Sequence, residues 1–257
     1  MRQYDRCFYE GLDERTRFAA DRVMDLVLDV LPPIRSCIDI GCGVGTWLAA
    51  ISDRGVEDIV GAEGDWLDPS MLAIDAERFR TIDLRKPIDI DRRFDLAISL
   101  EVAEHITDAQ GAALVRALTE LADFVLFSAA VPCQGGNHHV NEQWQSYWGR
   151  QFADLGFCAI DTIRPAIWSD PRIDVWYRQN IVLYVKHERV SDLRRCVAPV
   201  DPESLSRVHP DLYTRRLLKA HGFSGGLKSM MRALAGGAKA TRTLRRAQHS
   251  GRAPASS

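Results

Sequence analysis

The chain has 257 residues, 33 Lys+Arg against 35 Asp+Glu, a formal net charge of −2, and 46% hydrophobic residues. This is an ordinary globular composition with room for one sizeable domain and an appendage. No apolar run approaches the roughly 18 residues of a membrane span, and the polar N-terminus (Arg2, Asp5, Arg6) lacks a signal-peptide core, so a cytoplasmic protein is expected. The six cysteines, at 7, 37, 42, 133, 158 and 196, form no CxxC pair, so neither a zinc knuckle nor a disulfide framework is suggested. The charge is unevenly spread. From Glu188 onward there are 14 Lys+Arg against 5 Asp+Glu, while the preceding part carries 19 against 30. An acidic body argues against a broad basic face for nucleic acid, and no nucleic-acid partner is expected.

In chain order, residues 11–31 place Phe18, Val23, Leu26, Val27, Val30 and Leu31 at helical spacing, and Pro32-Pro33 stops that helix. Cys37 to Ile40 is a short buried strand, followed by glycines at 41, 43 and 45 and a helical pattern from Thr46 that ends at Asp53-Arg54-Gly55. Strand, glycine turn and helix bring a backbone close to a ligand at a helix N-terminus, and a Cβ in that turn would block the ligand or forbid the turn. A second strand, Asp58 to Ala62, ends in Glu63, 18 residues past Gly45. A third, Phe79 to Ile82, ends in Asp83-Leu84, and the apolar run Phe94 to Leu100 is a fourth, leading into Glu101-Val102-Ala103-Glu104-His105-Ile106. Residues 112–121 are helical, Phe124 to Phe127 is a fifth strand, and residues 148–155 form another helix stopped by Gly156. Phe157 to Ile163 and Asn180 to Val185 are the last two strands, joined by an excursion from Arg164 to Arg178 in which Arg164 and Arg172 are either solvated or available to an anionic acceptor.

Two stretches carry a family resemblance. Asp39-Ile40-Gly41-Cys42-Gly43-Val44-Gly45 resembles motif I of the class I S-adenosylmethionine-dependent methyltransferases, and Phe94-Asp95 followed by Ser99-Leu100-Glu101-Val102-Ala103-Glu104-His105 resembles their motif IV segment. The first is a poor dinucleotide fingerprint, since Thr46 stands where a sixth-place glycine is wanted. The resemblance implies an α/β fold: a Rossmann-like seven-stranded methyltransferase sheet, mostly parallel with the last strand antiparallel, and helices on both faces. It implies S-adenosyl-L-methionine as cofactor and assigns Asp39, Gly41, Gly43 and Gly45 to the methionine end. Glu63 with Gly64 goes to the ribose diol, Asp83 and Leu84 to the adenine, and Glu101 to the cofactor border. Trp66 is either a flank for the adenine or a cover for the core.

The acceptor side rests on Gln134-Gly135-Gly136-Asn137-His138-His139-Val140-Asn141-Glu142-Gln143-Trp144, which follows the fifth strand and so faces the same crevice. It resembles a segment of bacterial small-molecule methyltransferases of sugar and polysaccharide modification, with His139 aligned to their single histidine and His138 extra. The resemblance implies methyl transfer to a small-molecule acceptor, such as a hydroxyl of a sugar or polysaccharide precursor. His139, His105 and Glu142 are the candidate catalytic residues, because a hydroxyl acceptor benefits from a base. The bland reading makes His105 a loop-ordering ring and has Asn141 and Glu142 cap a helix beginning near Gln143. Glu101 and Glu104 are either a loop bracket or a weak metal site, and no metal is assigned.

The expected boundaries are a methyltransferase domain over residues 1–187 and a basic, partly disordered helical extension over 188–257. Helices are expected at 213–220 and 227–247 and disorder at 253–257. The extension is either solvated or a surface for anionic membrane or protein. The rival function is a non-catalytic S-adenosylmethionine-binding scaffold that docks a glycosyltransferase or a membrane through that tail.

Overall fold

Strand β1 (Ser36–Ile40) lies inside the sheet, and Cys37 through Ile40 are buried. In the computed structural model, which describes residues 6–219 with side chains from residue 14, helix α1 (Arg6–Val30) precedes it and α2 (Thr46–Ser52) follows. The remaining elements are β2 (Asp58–Glu63), β3 (Phe79–Thr81), β4 (Phe94–Leu100), α3 (Asp108–Leu121), β5 (Ala122–Ser128), α4 (Gln145–Asp154), β6 (Phe157–Ile160), α5 (Ile163–Ile167), α6 (Val175–Asn180) and β7 (Val182–Lys186).

The strands form one sheet in the order β3-β2-β1-β4-β5-β7-β6. All pairs are parallel except those of β7, which runs antiparallel to β5 and β6. This is the seven-stranded methyltransferase architecture. Its carboxyl strand ends sit on one edge, where a crossover sheet leaves its binding crevice. Both faces are covered, so alternate residues of one strand enter opposite cores. Phe124 and Leu126 of β5 join the face packed by Val23, Val27 and Leu48, while Val125 and Phe127 join the face packed by Val115, Leu118, Trp148 and Phe152.

Several boundaries differ from expectation for identifiable reasons. Helix α3 starts at Asp108, not Ala112, because the Thr107 N–H donates to Gln110 Oε1 (2.9 Å) in a capping box and the helix runs through Gly111. Gly111 is there because a Cβ would stand 2.8 Å from the Trp148 ring. Helix α4 starts at Gln145 with Trp144 at its N-cap, so neither Asn141 nor Glu142 caps it. Strand β6 stops at Ile160 and β7 begins at Val182, since the excursion between them folds into α5 and α6.

Arg164 is fully buried. It donates to Asp161 (2.7 and 2.6 Å) and to the carbonyls of Gln179 (3.2 Å) and Leu205 (2.8 Å). Arg172 donates to Asp170 (2.9 and 2.7 Å) and lies over the Phe18 ring. Neither guanidinium is free for an anionic acceptor.

The compact unit that carries the sheet runs through His209, past the boundary expected at 187. Val200 N–H bonds the Ala159 carbonyl (2.9 Å), and Leu205 is fully buried. A second unit begins at Pro210, where residues 210–219 are helical. The helix expected at 227–247 and the disorder expected at 253–257 lie outside the described residues. Among the described residues no helix is long and apolar enough to cross a membrane.

Candidate active site

The glycine turn leaves β1 with its backbone folded onto β2. The N–H groups of Gly41 and Cys42 both reach the Ala62 carbonyl, at 2.7 and 3.2 Å. Gly43 has φ of 54° and a Cβ there would meet nothing within 4 Å, so the turn is open on that side. Gly45, with φ of 85°, is the N-cap of α2, a backbone conformation that a side chain would strain. The two assignments that the structure ties together directly are Gly43 and Glu63. Gly43 N–H donates to Glu63 Oε2 (2.9 Å), and Gly64 N–H donates to Oε1 (2.8 Å). Burial raises the Glu63 carboxyl above its ordinary value, and those two N–H groups pull part of the shift back. Asp39 is buried beside it and is held well above the carboxylate range by burial and then by the Glu63 charge. The Trp66 ring lies against Gly64, where a Cβ would fall 1.9 Å from it, and stays 43% exposed.

The third strand places Asp83 less simply. Ile82 N–H bonds the Glu63 carbonyl (2.9 Å), which sets Asp83 just beyond the end of β3, next in the sheet to β2. Its carboxylate accepts from Arg85 Nε (2.8 Å), Nη2 (3.0 Å) and N–H (3.0 Å) and is lowered by them. Leu84 is half-buried and packs on the core. Asp83 and Glu63 are thus adjacent in backbone, while the Asp83 side chain is engaged by Arg85.

At the end of β4, Glu101 takes φ of 55°, a left-handed conformation rare outside glycine. It is held there by its N–H to the Ser128 carbonyl (3.0 Å) and Oγ (3.1 Å), and its carboxylate accepts from Gln134 Nε2 (2.9 Å) and Asn180 Nδ2 (3.1 Å). Gln179 Nε2 closes this amide cluster onto Asn180 Oδ1 (3.0 Å) and Gln134 Oε1 (3.3 Å). Gln179 and Asn180 carry no motif and no periodicity; only Gln134 lay in a stretch that the sequence singled out.

The loop after β5 is clipped onto the loop after β4. The N–H groups of Val140 and Asn141 bond the Glu104 carbonyl (2.8 and 3.1 Å), and Asn141 Nδ2 bonds the Ala103 carbonyl (3.2 Å). Within it, the Glu142 carboxylate accepts from the N–H of Cys133 (2.8 Å) and of Gly135 (2.6 Å), and bonds His139 Nδ1 (2.9 Å). Cys133 and the extra histidine, His138, take positive φ of 67° and 61° to make the turn. The His105 ring meets His139 edge-on, 4.9 Å between centroids. Desolvation, then the neighbouring His139, push the His105 imidazole down to about 4, so it is neutral near pH 7. Trp148 is buried against Phe127, while Trp144 remains 43% exposed.

One edge of the sheet therefore carries two groups: an acidic, glycine-lined crevice over β1 and β2, and a histidine-bearing pair of loops over β4 and β5. A methyltransferase domain family model matches residues 12–164, more than half of the chain. Among solved structures, the chain resembles Streptomyces venezuelae DesVI at 17% identity, with a TM-score of 0.52 over 70% of this chain and 95% of that one. It also resembles the magnesium protoporphyrin IX methyltransferase ChlM of Synechocystis PCC 6803 with bound SAM, at 20% identity and a TM-score of 0.47 over 67% and 80%. A third is SAM-bound CalS10, an amino pentose methyltransferase from Micromonospora echinaspora, at 16% identity and a TM-score of 0.45 over 68% and 91%. No curated protein sequence matches the chain. On the match over residues 12–164 and the strand order of its sheet, the chain belongs to the methyltransferase domain family, with the fold of the class I S-adenosylmethionine-dependent enzymes.

Proposed function

We propose that the chain transfers a methyl group from S-adenosyl-L-methionine to a small-molecule acceptor, at a hydroxyl of a sugar or related metabolite. Family membership makes S-adenosylmethionine the cofactor. The observation that carries the reading is the contact of Gly43 N–H with the Glu63 carboxylate at the ends of β1 and β2. It leaves an open glycine turn next to a half-buried acid, which suits a ribose diol. Asp39 lies buried beside it as a second polar group at the end of β1. Gly41, Gly45 and Gly64 let Val102, Ile74 and Trp66 pack against the turn and the end of β2; Leu84 and Asp83 border the adenine end, Asp83 after exchanging Arg85 for it.

When bound, the cofactor supplies an electrophilic methyl group on a sulfonium. The chain's own part is to hold an acceptor oxygen in line, exclude water and receive a proton. His139 is the residue for the proton. Its Nδ1 faces Glu142, which leaves Nε2 as the acceptor nitrogen. Glu142, already accepting from two backbone N–H groups, positions His139 and is not itself the base. His105 sits against the same ring and fixes its tilt.

The test is a calorimetric titration of the full chain with S-adenosylhomocysteine, followed by transfer from methyl-labelled S-adenosylmethionine into a small-molecule extract. Saturable one-to-one binding and a labelled product below 1 kDa are the expected results. Absence of binding rejects the reading, and binding without any labelled product favours the scaffold.

A further inference from the structure

Glu104 is 1% exposed, and neither of its carboxylate oxygens meets a hydrogen-bond donor. The N–H groups of Glu104 itself and of Ala130 soften its burial without closing a hydrogen bond, and Glu101 places a second carboxylate nearby. A buried carboxylate in that position is strongly unfavourable unless it takes up a proton or a cation meets it. Two imidazoles are at hand. One ligand atom each from Glu104, His105 and His139 all lie within 4.8 Å of one another.

Three features make this more than an acidic cluster. The residues come from two loops that are bonded to each other through the Glu104 carbonyl and through Asn141, so their spacing is held by backbone. His139 is tied through Nδ1 to Glu142, the carboxylate–histidine contact that fixes which nitrogen a metal receives. The donor set of two imidazoles and one carboxylate is that of a divalent transition ion with open coordination positions. Donors at about 2.1 Å from an ion lie at most about 4.2 Å apart, so binding an ion draws these three atoms slightly closer together than 4.8 Å.

We infer that Glu104, His105 and His139 form a binding site for one divalent transition-metal ion of the Mn²⁺, Fe²⁺ or Zn²⁺ class. Its open positions face the crevice shared by the β4 and β5 loops. They take oxygen donors, and on the methyl-transfer reading above, on which this last clause alone rests, those oxygens are acceptor hydroxyls whose proton the bound ion makes labile, with His139 Nε2 then a ligand and not the base.

The experiment uses the full chain, stripped with EDTA and dialysed. Mn²⁺ is titrated and free aqueous Mn²⁺ read by its paramagnetic resonance signal; Zn²⁺ is titrated separately by calorimetry. One ion per chain is expected. His105→Ala and His139→Ala are expected to weaken binding at least tenfold, and Glu104→Gln more, while His138→Ala leaves it unchanged. His105 is exposed, so its variant is expected to keep the near-ultraviolet circular dichroism of the parent and remains informative if Glu104→Gln fails to fold. Binding of neither ion, or binding that His105→Ala and His139→Ala leave intact, overturns the inference. S-adenosylhomocysteine is titrated into the stripped protein in parallel. If it binds where the ions do not, the metal site alone is refuted. If it fails to bind where the ions do, the functional reading fails and the metal site stands.

Discussion

His139 Nδ1 and the Glu142 carboxylate are 2.9 Å apart, and the same carboxylate accepts the N–H groups of Cys133 and Gly135. One acid thereby shapes the loop and orients the ring. Glu142→Ala leaves those donors without their partner, at a cost of about 1–3 kcal/mol, and releases His139 from its tautomer. The expected outcome is a lower denaturant midpoint together with depressed label transfer, while affinity for S-adenosylhomocysteine stays within about twofold of the parent. A variant of unchanged stability would show that the bracket does not hold the loop.

Gly136 supports the same ring from beneath. A methyl group there would lie 2.1 Å from His139 Nε2, so Gly136→Ala must displace the imidazole. Because Gly136 is an exposed loop residue, stability is expected to move by less than about 1 kcal/mol. Label transfer is expected to fall to the level of His139→Ala. Parent-like transfer by Gly136→Ala would mean that the position of the ring does not matter.

Glu63 gives a pH signature. Its carboxyl is raised above the ordinary glutamate value by burial, against the pull of the Gly64 and Gly43 N–H groups. The charged form is the one that grips a diol. Affinity for S-adenosylhomocysteine is therefore expected to fall as pH drops through that raised value, at a higher pH than an unperturbed glutamate near 4.3 would give. Stability of the free protein runs the other way. Between the unfolded and the raised folded value the native state holds the proton and the unfolded chain does not, so stability falls as pH rises through that window. Glu63→Gln is expected to remove both steps, and calorimetry and urea unfolding as functions of pH check them.

The glycine turn and the acid at the end of β2 were legible because each is a local pattern with a local cause. A turn that must take φ of 54° at Gly43, or an acid that closes a short apolar strand, can be read without knowing its neighbours. What escaped depends on contacts between distant residues. The amides that hold Glu101 come from Gln134 and Asn180, the latter 79 residues away, and amide side chains look alike in a buried cluster and on a surface. Gly111 reads as a helix breaker until Trp148 packs against it. The stretch 188–209 is polar enough to resemble a tail, yet Leu205 and Val200 tie it to the sheet. At Asp83 the place at a strand end was legible, and the engagement of its carboxylate by Arg85 two residues on was not.

Arg164 makes the sharpest stability prediction. Its side chain and that of Asp161 are 0% and 3% exposed, joined at 2.6 Å, and the guanidinium also carries the carbonyls of Gln179 and Leu205. Removing one partner of a buried ion pair costs about 3–5 kcal/mol when the other is left unpaired, and here Arg207, 3.7 Å from Asp161, puts the cost at the low end. Arg164→Ala is therefore expected to lower the urea unfolding free energy by about that amount. Arg164→Lys recovers only part, since an ammonium cannot span a bidentate carboxylate and two carbonyls at once. The replacement Arg164→Met with Asp161→Leu restores apolar packing but leaves both carbonyls without their donor, so it falls between the two. Gln179 also belongs to the amide cluster that holds Glu101, so the loss reaches the active-site loops. Limited proteolysis is expected to cut Arg164→Ala first within 188–209, because Leu205 loses its anchor. An unfolding free energy within about 1 kcal/mol of the parent would show that the buried pair contributes little to joining that stretch to the sheet.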